Sequence, residues 1–326
     1  MIMNRRSAIA MLGLAAACPW SFSTQAKAET DLRMIVGMDA GGGTDINARL
    51  MAKFLSRHFA GDISIENDGR AGGVTALQAA LGETTLTVST LETTNILSAA
   101  IEDNYPLDIK SVALLDNFVI ATRVLAIRSA IGIKSVADWR ASGKTLRFGT
   151  RTPTYFKGVE MTLLSKLWGV NVTIVPGYST NEARAAFSAG ELDLISGSYT
   201  STSKMTKDGA AQMLVRTSDA AGENEESTNL PAATDFVADE SYSSLLTVVN
   251  NMNKLQLAFA TSKASLKDAG PLSAALSTTK LDPEFQAAAA EVGLVVDKRR
   301  SDEIRAEFNA LVADFDNFRT KFRKLL

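Results

Sequence analysis

Twice along this chain a short aliphatic run gives way to glycine or hydroxyl residues, then to a helical pattern, and the cycle restarts. Leu32, Met34 and Val36 alternate as a strand does, Gly41-Gly42-Gly43 breaks the run, and Ile46, Leu50 and Phe54 mark one helix face. Thr44 or Asp45 is the predicted N-cap of that helix. A strand at Ile63–Ile65, a helix at Val74–Leu81 and a strand at Leu86–Val88 follow. The second cycle has strands at Val124–Ile127, Leu146–Phe148, Val172–Val175, Leu192–Ile195 and Gln212–Val215. Ser135 caps a short helix stopped by Gly143. Thr152 with Pro153 after it predicts the start of a helix that Gly169 ends. Such alternation predicts an α/β chain with mostly parallel sheets flanked by helices.

The rest of the chain is less regular. Leu255–Ala260 reads as a return strand, and Asp282-Pro283 opens a helix that Gly293 closes. Ile304, Phe308, Leu311, Phe315, Phe318, Phe322 and Leu325 fall on one face of a long C-terminal helix. That face packs on its parent domain or pairs as a coiled coil; its aromatics favour the first. Asp219–Ser227 is the most loop-like segment.

The residue inventory excludes several chemistries. The single cysteine, Cys18, and the single histidine, His58, cannot build a disulfide, a thiolate cluster or a His-rich zinc site, so no metal or cofactor is expected. His58 follows Phe54 by one helical turn and is expected at the surface. Trp139 and Trp168 are expected in the core. A net charge of −2 leaves no footprint for nucleic acid.

The N-terminus reads as an export signal: Arg5-Arg6, an apolar stretch from Ala8 to Ala17, and small residues at Ala26 and Ala28, with cleavage after Ala28. The apolar stretch is too short to anchor in a bilayer. Arg5-Arg6-Ser7 partly matches a twin-arginine signal without its aromatic, and Leu14–Cys18 partly matches a lipobox. Cleavage removes Arg5, Arg6 and Lys27 and no acid, moving the net charge from −2 to −5.

Three strand-to-helix joints carry small or hydroxyl residues: Ala40–Asp45, Gly149–Thr154 and Gly177–Asn181. Unpaired N–H groups at helix starts, with close approach over glycine and added hydroxyl donors, suit a carboxylate. The candidate ligand-binding residues are Gly41, Gly42, Gly43, Thr44, Asp45, Thr150, Arg151, Thr152, Thr154, Tyr178 and Ser179. Asp45 is equally readable as the N-cap alone. Arg151 is either a bidentate clamp for a second ligand carboxylate or a solvated cation. Tyr178 and Tyr199 follow strands and offer faces for stacking.

The stretch Ile35-Val36-Gly37-Met38-Asp39-Ala40-Gly41-Gly42-Gly43-Thr44-Asp45-Ile46-Asn47-Ala48-Arg49-Leu50 resembles the first motif of the Bug-type periplasmic receptors of tripartite tricarboxylate transporters. Ile65-Glu66-Asn67 with Arg70-Ala71-Gly72-Gly73, Phe148-Gly149-Thr150, Val175-Pro176, Ala189–Leu194 and Leu230–Thr234 resemble later landmarks of that family, in order. The resemblance implies a two-lobed, type II periplasmic-binding-protein fold. It implies lobe 1 over residues 29–123, lobe 2 over 124–253, and a return to lobe 1 over 254–326. It further implies a monomer that grips a small carboxylate between the lobes, with Gly41–Asp45 and Thr150, Thr152 and Thr154, and delivers it to membrane permease subunits, without catalysis. Asp39 departs from the family's proline, and the region from Ile101 to Arg123 matches poorly. A sensor receptor for a membrane signalling partner is an alternative. Asp39–Thr44 also resembles the phosphate loop of actin-like kinases, which runs into a β-hairpin, whereas here a helix pattern follows.

Overall fold

The computed structural model describes residues 31–207, 209–218, 225–255, 257–263 and 265–326. The expected leader, Cys18 included, and residues 219–224 of the loop-like segment lie outside the described residues.

The first α/β run contains β1 (Leu32–Val36), α1 (Gly43–Leu55), β2 (Ile63–Asn67), α2 (Val74–Gly82), β3 (Thr87–Leu91), α3 (Thr93–Ile101) and β4 (Val112–Asn117). The short β5 (Val119–Ile120) leads out of it. The second run contains β6 (Arg123–Arg128), α4 (Val136–Ser142), β7 (Thr145–Gly149), α5 (Phe156–Trp168), β8 (Asn171–Val175), α6 (Thr180–Ala189), β9 (Leu194–Ser198), α7 (Tyr199–Thr206) and β10 (Ala211–Arg216). The chain returns through α8 (Glu225–Asn229) and α9 (Ser243–Asn253) to β11 (Ala258–Ser262). It ends in α10 (Gly270–Leu281), α11 (Pro283–Glu291), β12 (Val295–Val296), α12 (Ser301–Ala313) and α13 (Phe315–Leu325).

Two five-stranded sheets result, β2-β1-β3-β11-β4 and β8-β7-β9-β6-β10. They share one topology. In each, the strand that enters from the other sheet, β11 or β6, runs antiparallel to its neighbours in the fourth position. In each, the remaining strands point the same way, so their carboxyl ends gather along one edge. Loops leaving that edge are where an open α/β sheet holds ligands.

Local chemistry explains most boundaries. Ser135 accepts a hydrogen bond from the Asp138 N–H, and Gly143 and Gly169 end α4 and α5 in left-handed conformations. Trp139 and Trp168 are fully buried. His58 is exposed, as expected, with Nε2 3.5 Å from Asp282. Three joints differ from the sequence reading. First, α1 starts at Gly43 with Gly42 as its N-cap, so neither Thr44 nor Asp45 caps it. Second, α5 starts at Phe156. Thr152 and Pro153 instead form a turn closed by the Tyr155 N–H on Thr152 O and Oγ1, at 3.1 and 3.0 Å. Pro153 fits either role because its fixed φ suits the second position of a turn as well as the first turn of a helix. Third, the long C-terminal helix is two helices, broken at Asp314 (φ −90°, ψ 8°).

All seven periodic residues of that C-terminal stretch are buried within the chain. Phe318 packs edge-on against Phe315 and Phe322, with ring centroids 5.1 and 6.1 Å apart. With α3, α5 and α9 these rings close one hydrophobic core that takes side chains from both sheets. Strand β4 and the helices α3, α7, α9 and α10 were not anticipated. Of these, α3 buries apolar residues all round and α10 is diluted by Ser and Thr, so neither shows a clear stripe.

The chain crosses between the sheets twice, and the crossings lie side by side, with the Phe118 N–H bonded to Leu257 O at 2.9 Å. Asn117 ties them together. Its Nδ2, with two N–H groups, lies within hydrogen-bond distance of three acceptors, Val119 O and Lys254 O, both at 3.0 Å, and Asp297 Oδ2 at 2.7 Å, while its Oδ1 accepts from the Leu257 N–H at 3.2 Å. Asp116 beside it pairs with Lys280 Nζ at 2.6 Å and accepts from Ser301 Oγ at 2.8 Å. Burial lifts the Asp116 carboxyl above its usual range, and Lys280 opposes that shift.

Phe318→Ala removes a ring from the core shared by the sheets and is expected to cost about 3–5 kcal/mol. Urea unfolding monitored by circular dichroism measures this, and a loss under 1 kcal/mol places the ring outside the cooperative core.

Candidate ligand-binding cleft

The first glycine loop is held from within. Asp45, buried on α1, accepts from the Gly41 N–H and from Arg49 Nε, both at 2.8 Å, and from Asn67 Nδ2 at 2.9 Å. Burial alone raises the Asp45 carboxyl, but the hydrogen bonds from Arg49, Gly41 and Asn67 outweigh it and hold the group below its usual range. Both carboxylate oxygens are therefore occupied, Oδ2 by the loop and Oδ1 by Arg49 and Asn67. Gly41 adopts φ +76°, and Gly42 N–H closes a turn on Asp39 O at 3.2 Å. Open space lies where a Cβ on Gly43 would point. Asp39 itself is exposed, and the loop runs straight into α1 with no hairpin.

Thr44 hydrogen-bonds to Glu92, the residue between β3 and α3. The carboxyl oxygen Oε1 of Glu92 is closed off from solvent and has no hydrogen-bond partner among the described residues. Burial pushes this carboxyl up to about 7, against the pull of Thr44. A third lobe-1 segment joins these. Ala71, Gly72 and Gly73 all adopt left-handed backbones before α2, and Ala71 is the one non-glycine residue at positive φ among those described. Asn95, 1% exposed, accepts from Tyr105 Oη at 3.2 Å but leaves its Nδ2 without an acceptor.

Across the cleft stands the loop after β7. The Thr150 backbone extends the strand pairing, with its N–H on Val175 O and its carbonyl accepting from Tyr178. Its side-chain Oγ1 is buried and unpartnered. Thr152 and Thr154 share a hydroxyl contact at 3.1 Å, and Thr154 is half-buried. Arg151 is exposed, with its guanidinium 5.7 Å from the centre of the Tyr155 ring. Tyr155 is raised by burial, then influenced by Arg151, Glu92 and Arg123, so it lies where the two lobes meet. A cavity of about 310 Å³ opens there, with Ala71, Gly72, Val74 and Asn95 on one side and Arg151, Thr152 and Tyr155 on the other.

The fold is similar to that of known proteins. No protein-family model and no curated protein matches the chain by sequence. Solved structures do match. A periplasmic transporter protein aligns over 91% of this chain and 98% of its own, at 20% identity and a TM-score of 0.68. A Rhodopseudomonas palustris protein solved with adipate covers 90% and 97%, at 15% identity and 0.68. MatC of the same organism, with bound malate, covers 90% and 98%, at 17% identity and 0.64. TctC- and Bug-type proteins stand among the neighbours. The chain has the periplasmic solute-binding fold.

On that fold the sequence-derived residues divide. Gly41 and Gly42 and Thr150–Thr154 lie on loops leaving the facing strand edges, and Gly43 and Thr44 open α1. Ser179 is committed to α6 as its N-cap: its Oγ accepts from the Glu182 N–H at 3.3 Å and its N–H donates to Glu182 Oε2 at 2.8 Å. Tyr178 lies over Gly149, in the cluster with Ala183, Phe187 and Leu192. Tyr199 is buried, with its hydroxyl on Glu226 Oε2 at 2.5 Å. Glu92, Asn95 and Ala71–Gly73 escaped the residue-level reading. The one available signal for Glu92 was a charge immediately after the Thr- and Ser-rich strand β3, at a carboxyl strand end.

Glu92 makes the fold sensitive to pH. Unfolded, it ionises near its ordinary value of 4.5; folded, it keeps its proton to about 7. The folded state thus binds more proton between those values, and stability present below pH 4.5 is lost as pH rises through 7. Glu92→Gln lacks this loss. Relative to wild type it is expected to gain about 2–3 kcal/mol between pH 5 and pH 8 in urea titrations. Parallel profiles refute the assignment.

Proposed function

We propose that this chain is an extracytoplasmic solute-binding protein that captures a small carboxylate between its lobes without transforming it. Residues 29–123 and 254–326 form one lobe in this reading and 124–253 the other. The observation that carries the reading is the pairing of two strand edges across one cleft, each presenting buried polar atoms that have no hydrogen-bond partner among the described residues. A native protein keeps most buried polar groups bonded, so such a cluster at a cleft is a place prepared for a ligand. The backbone of Gly41, Gly42, Gly43 and Thr44, together with Thr150, Thr152 and Thr154, is the proposed carboxylate grip. Support for the carboxylate comes from these donor-rich helix starts and from the adipate and malate held by proteins of the same fold.

The leader places the protein in the periplasm after cleavage following Ala28. There it acts as a monomer that hands its ligand to the permease subunits of a tripartite tricarboxylate-type transporter. Capture follows from closure of the lobes about their two crossings.

Screening small mono-, di- and tricarboxylates by thermal shift tests the reading. Ligand at about 1,000 times its Kd adds about 4 kcal/mol to folding stability, a shift of several degrees. No shift with any carboxylate defeats it. Gly43→Leu places a side chain in the open space before α1, with no backbone strain. It is expected to melt like wild type and to lose the ligand-dependent shift; a retained shift removes that loop from the site.

A further inference from the structure

The cavity of about 310 Å³ between the lobes has a lining that the carboxylate grip leaves unused. Val74 of α2 and Asn95 of α3 line it from the first lobe, 4% and 1% exposed. Tyr105 and Pro106, from the loop after α3, and Tyr155 of the second lobe supply further walls.

One polar group in this lining is left over. Tyr105 Oη donates to Asn95 Oδ1 at 3.2 Å, which sets the orientation of the side-chain amide and commits its oxygen. The amide nitrogen, Nδ2, is closed off from solvent and has no hydrogen-bond partner among the described residues. A buried N–H without an acceptor is costly, and at the wall of a cavity it is the mark of a group awaiting one.

The other walls are apolar or aromatic. Burial, with the Glu102 carboxylate beside it, raises the Tyr105 hydroxyl, and burial raises Tyr155 too, so both rings stay neutral. Charge is confined to the mouth, where Glu102 and Arg151 are exposed and of opposite sign. The other cations of the second lobe lie elsewhere. Lys157 in the first turn of α5 reaches Ser196 O at 3.4 Å, and burial, then Arg123 and Arg184, lower its amine to about 7. Among the described residues, neither Lys157 nor Arg184 lines the cavity. A second carboxylate buried here would meet no buried cation, whereas a neutral oxygen needs only the one N–H that is available.

We propose that this cavity is a tail subsite, in which Asn95 Nδ2 donates to an uncharged oxygen on the ligand while Val74, Tyr105 and Tyr155 pack against an apolar body. The ligand class is thereby a monocarboxylate with a carbonyl oxygen at its far end, an oxo acid rather than a diacid. Thr152 belongs both to the proposed grip and to the cavity lining, so one ligand can reach from one to the other. The inference rests on the carboxylate-receptor reading and narrows it. A site built to donate one hydrogen bond rejects a ligand that lacks the acceptor, because the donor is then left unpaired.

The test is isothermal titration of the full mature chain with two sets of carboxylates matched in shape. One set is 5-oxohexanoate, 5-methylhexanoate and glutarate; the other is 4-acetylbenzoate, 4-isopropylbenzoate and terephthalate. In each set the first member offers a neutral acceptor, the second removes it and the third replaces it with a charge. Wild type is expected to bind the oxo acid of at least one set tenfold or more tighter than either companion. Asn95→Leu, of similar volume, is expected to abolish that advantage, leaving the oxo acid within twofold of its hydrocarbon companion. Asn95→Asp keeps an acceptor for Tyr105 Oη while removing the donor; it is expected to lose the advantage as well, and it serves where the leucine variant does not fold. An oxo acid that binds wild type no tighter than one of its companions in both sets, or an advantage that survives in the variants, overturns the tail subsite and leaves the receptor standing. No binding of any carboxylate to wild type overturns both.

Discussion

Asn117 is the residue on which the two-lobed arrangement depends. It lies fully buried at the end of β4 and bonds to backbone from both crossings and to Asp297. Asp297 is held in turn by Arg299, with two contacts at 2.6 and 2.9 Å. Buried polar groups are costly unless satisfied, and a satisfied network admits few alternative geometries. The same constraint extends through Asp116 to Lys280 and Ser301, so the C-terminal helices are docked by the residues that set the crossing. A buried pair of this kind adds modest net stability, but removing one partner strands the other charge. Its value here is orientation: it settles which edges of the two sheets meet.

The cleft follows the opposite rule. Glu92 Oε1, Asn95 Nδ2, Thr150 Oγ1 and Ser196 Oγ are hidden from solvent without partners. Each such group costs about 1–3 kcal/mol. The core between the lobes is well filled by Trp139, Trp168 and the phenylalanines of α13, so the unsatisfied atoms are not signs of a poorly packed protein. These four lie at or next to the carboxyl ends of the strands, whereas Asn250 Oδ1 and Arg319 Nε lie on helices away from them, and a ligand that satisfies the four recovers in binding what folding gave up. The lobes also differ in charge. The first contributes a carboxyl held near neutrality, and the second contributes Lys157, Arg184 and Arg151.

Much of this was legible along the chain. Gly143, Gly169, Ser135 and Asp282 punctuate helices for local steric and hydrogen-bonding reasons, and they do so where the sequence places them. The apolar period of the C-terminal stretch named its buried face correctly, since burial follows period whether the helix is whole or broken at Asp314. Local rules failed where one residue fits two local roles. Pro153 suits a turn or a helix start, and Asp45 suits a cap or an internal clip. The presence of Asn67 and Arg49 around Asp45, contributed by β2 and by the next turn of α1, decided that case.

The sequence by itself determined the α/β alternation, the glycine and hydroxyl joints and the apolar faces, because those depend on residues a few positions apart. Only the tertiary structure decided which joints meet and what charge each brings. Glu92 and Thr44 lie 48 positions apart, and Lys157 and Ser196 lie 39 apart. Their pairing exists because parallel strands bring distant carboxyl ends to one edge and the Asn117 crossing turns the two edges toward each other. A charge at a strand end or in the first turn of a helix reads as surface until the folded chain closes it from water, and that burial raises Glu92 and lowers Lys157.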